Sequence, residues 1–130
     1  MESVEYGVGR HLDEPYDVAL HRVVDALKAE GFGIITEIDV RKTMKDKLDV
    51  DVAPHTILGA CNPRLAHAAL QVEPDLGVLL PCNVDVYATE DGTRVIAVNA
   101  GAMLGMVGND ALAPIAAQVQ QKLDRVLESL

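Results

Sequence analysis

Two cysteines are the residues of this sequence whose type and setting could support chemistry. Cys61 lies in an ACNP run at 60–63, where Asn62 is a good helix N-cap and Pro63 a good first helical residue. The sulfur should therefore lie just before a helix N-terminus, where unpaired N–H groups and the helix dipole favour a thiolate. Cys82 lies in a similar PCN run at 81–83. Thiolates are nucleophiles and bind soft metal ions.

Three interpretations of this cysteine pair stay open. In the first, Cys61 and Cys82 hold a metal ion or line a ligand cleft, and His67, one turn into the predicted helix, is the nearest histidine in sequence that could complete the metal site. The spacing between the cysteines is not that of a zinc site, and no C-x-x-C or H-x3-H motif accompanies them. In the second, Cys61 is the catalytic nucleophile of a thiol enzyme and Cys82 the resolving thiol.

The third interpretation is structural. Cys82 alternates with Leu80 and Val84 on the apolar side of a predicted strand. Free cysteine is among the most buried residue types, and burial favours the neutral thiol. We therefore expect Cys61 to react with an alkylating reagent before Cys82 does.

The composition argues against several other functions. The chain carries 11 Lys and Arg against 20 Asp and Glu, a net charge of −9, which repels nucleic-acid phosphates and anionic membranes. It has no Trp, one Phe and three Tyr, too few for base stacking. There is no P-loop, dinucleotide fingerprint or G-x-S-x-G motif, so the sequence indicates no cofactor.

The length of 130 residues and a hydrophobic fraction of 49% predict one globular domain spanning 1–130. The N-terminus lacks the basic and apolar regions of a secretory signal, and no run approaches the roughly 18–20 apolar residues of a spanning helix. Two cysteines are too few for a disulfide framework. We therefore expect a cytoplasmic protein with reduced thiols.

Periodicity predicts the elements that must position the cysteines. Apolar alternation indicates strands at 4–8, 32–40, 55–61, 78–86 and 94–98. Helices are expected from Pro15 to about Glu30, as a short helix or turn at 41–49, at 63–72, and from Asn109 or Asp110 onward. A glycine-interrupted loop should precede the last helix. That helix carries a stripe predicted to be buried: Leu112, Ile115, Val119, Leu123 and Val126.

This order of elements predicts an α+β domain with a largely antiparallel sheet and helices packed on one side. One sheet face and two edge strands would then remain uncovered. Pairing of two copies is a natural way to cover such a face, so we expect a homodimer.

Three runs in order along the chain resemble the bacterial and archaeal domain of unknown function family 302. They are FxIxxEIDV at 32–40, ILGACNPxxA at 57–66 and LLPCNV at 79–84. The resemblance implies a small dimeric α+β domain, similar in shape to the TATA-binding-protein fold, and supplies no reaction. It singles out the residues that match its motifs: Asp39, Cys61, Asn62, Pro63, Pro81, Cys82 and Asn83.

The leading hypothesis is a homodimeric cytoplasmic domain that binds a small ligand or a metal ion in a cleft near Cys61 and Cys82. Asp39, Asn62 and Asn83 are the candidate ligand-binding residues beside them. A thiol-redox or sulfur-handling protein is the alternative. A structural interaction module that uses the open sheet face is the third possibility.

Overall fold

Five strands form one antiparallel sheet in the computed structural model of the protein, which describes residues 3–130. The strands are β1 (Gly7–Leu12), β2 (Gly33–Asp39), β3 (His55–Cys61), β4 (Cys82–Thr89) and β5 (Gly92–Val98). Their order across the sheet is β1-β5-β4-β3-β2, and each neighbouring pair is antiparallel. β1 and β2 are therefore the edge strands.

The helices pack on one side of this sheet, which confirms the predicted α+β class. They are α1 (Tyr16–Ala29), α2 (Val40–Leu48), α3 (Pro63–Val72), α4 (Ala100–Gly105) and α5 (Ala113–Glu128). Short 3₁₀ turns occur at Pro74–Leu79 and Asp110–Leu112. None of the helices in residues 3–130 is both long enough and apolar enough to cross a membrane.

The core lies between the sheet and the two longest helices. Leu58 of β3 is opposite Val84 of β4, which is opposite Ala97 of β5, and all three side chains are buried. Leu27 of α1 and Leu123 of α5 belong to the same buried cluster. Because side chains alternate along a strand, every second residue of the central strands joins this core.

The alternate residues lie on the other face of the sheet, which the helices leave uncovered. His55 and Tyr87 are opposite each other there, with ring centroids 5.2 Å apart. The His55 Nε2 also contacts an Asp85 carboxylate oxygen. This face is therefore a mixture of polar and apolar side chains.

The first predicted strand begins later than the sequence pattern indicates. Val4 pairs only with Gly7, in an isolated bridge that reverses the chain, and β1 starts at Gly7. Tyr6 lies in this turn and is 75% exposed. The prediction of a strand at 4–8 is therefore wrong for residues 4–6 and correct for residues 7 and 8.

The prediction of a strand at 78–86 is wrong in its first part. Pro74–Leu79 forms a 3₁₀ turn, and β4 begins at Cys82. Leu76 is buried by this turn, whereas Val78 is 87% exposed. The alternation of apolar residues that suggested a strand is produced here by a tight turn with one buried side chain.

A β-bulge changes the phase of β2. Ile34 is opposite Ala60 on the helix side, but after the irregularity Thr36 is opposite Gly59 and Ile38 is opposite Ile57, on the open side. The apolar alternation over 32–40 indicated that alternate residues share one face, and this is wrong beyond Ile34. Two residues of the bulged strand replace one in the pairing, so the alternation shifts at that point.

The predicted loop before the last helix contains α4, which Asn99 caps by accepting a hydrogen bond from the Ala102 N–H at 3.0 Å. Asn109 accepts one from the Ala111 N–H at 3.0 Å and so caps the 3₁₀ turn rather than α5. α5 itself begins at Ala113. The last helix is therefore shorter than predicted.

The predicted stripe of the last helix is buried at four of its five positions. Leu112, Val119, Leu123 and Val126 are buried, which confirms the prediction for these residues. Ile115 is half-buried, and it borders a cavity described below.

Truncating Leu123, which is 1% exposed, to Ala should lower the free energy of unfolding by about 2–5 kcal/mol, because the lost methyl groups leave a void in the core. Gln121→Ala, at an exposed position of the same helix, is the control and should change it by less than about 0.5 kcal/mol. Urea denaturation followed by circular dichroism measures both. Equal small losses would contradict the described packing.

Candidate functional site

An open apolar cavity of about 260 Å³ lies at the end of the sheet where β3 stops and β4 begins. Leu65, Ala66 and Ala69 of α3 contribute to its wall. Leu76 of the 3₁₀ turn and Val119 of α5 contribute from other parts of the chain. Leu104 of α4 also lines it, so the cavity is bordered by one end of the sheet, three helices and a turn.

Local sequence explains why α3 begins at this corner. The Asn62 side chain accepts a hydrogen bond from the Leu65 N–H at 3.3 Å, and Pro63 occupies the first helical turn. Both residues favour a helix start directly after β3. The helix then presents Ala66 and Ala69 to the cavity, and their small side chains leave space that larger residues would fill.

Both cysteines line this cavity. Cys61 is the last residue of β3 and is half-buried, whereas Cys82 is the first residue of β4 and is buried. Cys82 is opposite Ala60, the residue before Cys61, so the two cysteines lie on neighbouring strands at the same end of the sheet. They are free thiols, not a disulfide.

Burial, and to a smaller extent electrostatic repulsion from the neighbouring Cys61, raises the pKa of the Cys82 thiol to about 11. At pH 7, roughly one Cys82 in 10,000 would then be a thiolate. This agrees with the expectation that Cys82 is desolvated and neutral. Cys82 is therefore a weak nucleophile in the folded protein.

Of the three candidate ligand-binding residues, the structure brings only Asn62 to the cysteines. Asn62 lines the cavity while it caps α3. Asn83 is exposed and lies opposite Gly59, on the uncovered face of the sheet. Asp39 is the N-cap of α2, where its side chain accepts a hydrogen bond from the Lys42 N–H at 2.9 Å. Neither Asp39 nor Asn83 borders the cavity.

His67 does not join the two cysteines. It is exposed on α3, and it follows Leu65 by two residues, which is more than half a helical turn. Its side chain therefore leaves the helix on a different face from the residues that line the cavity. Within residues 3–130, no group of three His, Cys, Asp or Glu side chains is arranged to hold a metal ion. The candidate metal set of Cys61, Cys82 and His67 is not assembled.

The apolar residues of the cavity were missed by sequence reasoning. The signal available was small residues at core-facing positions, namely Ala60, Ala66 and Ala69. Among the described residues that line the cavity, none is charged, and Asn62 carries the only side-chain amide. The arrangement can accept an uncharged apolar molecule beside a thiol.

In the native protein, iodoacetamide at pH 7 should label Cys61 slowly and leave Cys82 unlabelled. Because alkylation requires the thiolate and the pKa of Cys82 is raised, its labelling rate should increase about tenfold per pH unit until about pH 11. Mass spectrometry of Cys61→Ser and Cys82→Ser variants separates the two thiols, and unfolded protein serves as the control. If Cys82 in the native protein reacted as fast as Cys61 at pH 7, the described burial of Cys82 would be contradicted.

The comparisons with known proteins agree with the described fold. The crystal structure of an uncharacterized conserved DUF302 protein from Bacillus stearothermophilus is similar, with a TM-score of 0.87 and 27% sequence identity over 96% of this chain and 98% of that chain. Among curated proteins, none matches the chain. The model of the domain of unknown function DUF302 matches residues 8–130. Because this match covers most of the sequence, the chain belongs to the DUF302 family.

Proposed function

We propose that the protein binds a small, neutral, apolar molecule in the cavity beside Cys61. The observation that supports this proposal is an open cavity of about 260 Å³ whose wall is almost entirely apolar. An apolar cavity of about 150 Å³ in another protein is large enough to hold benzene. The cavity here has space for a somewhat larger molecule, and its mouth provides a route of entry.

Charge favours a neutral ligand over an anionic one. The protein carries a net charge of −9, and no cationic side chain lines the cavity within the described residues. A carboxylate or phosphate that entered would lose its water without gaining a partner, which is costly. Fatty acids and nucleotides are therefore poor candidates, and uncharged aromatic or aliphatic compounds are good ones.

The substitution Ala66→Leu tests this proposal because Ala66 lines the cavity and leucine would fill part of it. The neutral fluorescent probe N-phenyl-1-naphthylamine should bind the wild type, and the variant should bind it at least about tenfold more weakly. Leucine is a good helix former, so the helix itself should persist. Fluorescence titration measures both affinities.

Ala68→Leu is the matched control. Ala68 is half-buried on the same helix but does not line the cavity, so this variant should bind the probe as the wild type does. Equal affinity in all three proteins would place the probe elsewhere. No binding to the wild type would overturn the proposal.

We further propose that two copies associate through the uncovered face of the sheet. One row of this face carries Ile38, Ile57 and Ile96, with Asp85 between the last two. Taken as a flat surface, one face of a sheet of five strands of this length has an area on the order of 500–600 Å², without the area added by projecting side chains. A standard interface buries about 800 Å² per partner, so the face is close to the area that a dimer needs.

Sedimentation equilibrium at micromolar concentration should find a dimer for the wild type and a monomer for Ile57→Glu, because the new carboxylate would lie opposite Asp85 and would be buried without a partner of opposite charge. Val18→Lys, at an exposed position of α1 on the helical side, is the control and should remain dimeric. A monomeric wild type would rule out this association. A dimeric Ile57→Glu would place the interface on another surface.

Thiol-redox or sulfur chemistry is a second candidate function, favoured by the fact that both cysteines border one cavity. The raised pKa of Cys82 weakens it, because a thiol of high pKa attacks disulfides slowly at neutral pH and is a poor leaving group. A loss of two hydrogens in the intact mass after treatment with oxidised glutathione would favour this alternative.

We propose that the protein is located in a reducing compartment such as the cytoplasm, where both thiols stay free.

A further inference from the structure

We infer that the ligands of the cavity include neutral electrophiles, such as α,β-unsaturated ketones, and that Cys61 captures them as thioethers. This inference rests on the proposed function, since it requires that an apolar molecule enters the cavity. It adds a covalent reaction and a chemical class of ligand to simple binding.

The wall of the cavity offers two nucleophiles, and their surroundings distinguish them. Cys61 borders the cavity at the end of β3 and is half-buried, so part of its surface is open to solvent. Cys82 is buried, and burial keeps its thiol protonated at neutral pH. No Ser, Thr, Lys or His side chain is among the described residues that line the cavity. The sulfur of Cys61 is therefore the nucleophile available for reaction.

The walls select the kind of electrophile. An apolar molecule held against Ile35, Leu65 and Leu70 is kept near the Cys61 sulfur, which raises the effective concentration of the two reactants. A charged electrophile gains no such benefit, because nothing in this wall compensates the loss of its water. Addition to Cys61 should therefore be faster in the folded than in the unfolded protein only for uncharged apolar reagents.

The addition balances without any other reagent. The Cys61 thiolate attacks the β carbon, a C–S bond forms, and the electron pair of the C=C bond moves to give an enolate. The α carbon then takes up a proton from water, which replaces the proton that the thiol released. No group leaves and nothing is oxidised or reduced, so the protein gains the full mass of the ketone.

The test uses native protein with trans-4-phenyl-3-buten-2-one and its saturated analogue 4-phenyl-2-butanone. Mass spectrometry should find one adduct of the unsaturated ketone, located on Cys61, formed at least tenfold faster than in urea-unfolded protein. Cys82→Ser should keep this reaction and Cys61→Ser should lose it. Ala66→Leu should slow it at least tenfold, whereas Ala68→Leu should leave the rate unchanged.

The saturated ketone separates this inference from the proposed function. Its binding is measured by displacement of N-phenyl-1-naphthylamine. If it binds while the unsaturated ketone adds no faster than in unfolded protein, or adds to Cys82, covalent capture is wrong and ligand binding stands. If neither ketone displaces the probe from the wild type, the inference about ketones is wrong and binding of the probe stands. If the probe itself does not bind the wild type, both proposals are overturned.

Discussion

Antiparallel pairing between β3 and β4 determines the geometry of the whole corner that contains the cavity. The register places Cys82 opposite Ala60, so the first residue of β4 meets the end of β3. This close approach requires glycine at position 59, where a Cβ would overlap the Thr36 side chain and lie within 2.8 Å of the Pro81 ring. A side chain at Gly59 would require the Thr36 side chain to rotate and the Pro81 ring, which borders the cavity, to shift.

The cavity is a local departure from the close packing found elsewhere in the core. Protein interiors are packed as densely as organic crystals, and side chains that border an empty space lose dispersion contacts. Ala66 and Ala69 leave that space, although a leucine or valine at either position would contact more atoms. The same residues that weaken packing give the protein room for a ligand, which is a usual compromise between stability and function.

Local signals in the sequence predicted much of the fold but not the cavity. The helix start at Asn62 and Pro63 depends on neighbouring residues, so single-sequence reasoning found it. The strand predicted to include Val78 failed because its alternation is equally compatible with a 3₁₀ turn, and the choice depends on Leu76 packing against residues near α4 and α5. The cavity joins Ala66 to Val119, which only the tertiary fold brings together. The cysteine corner was predictable from its motifs, whereas its apolar walls were not.

Methyl-labelled NMR titration with N-phenyl-1-naphthylamine tests the central claim, an apolar ligand in this cavity, most directly. The account predicts saturable chemical-shift changes at Leu65, Ala66 and Leu76, which line the cavity. The methyl groups of Ile57 and Ile96, on the uncovered face of the sheet, should not shift. Shifts confined to the uncovered face, or no saturable shifts at all, would contradict the account.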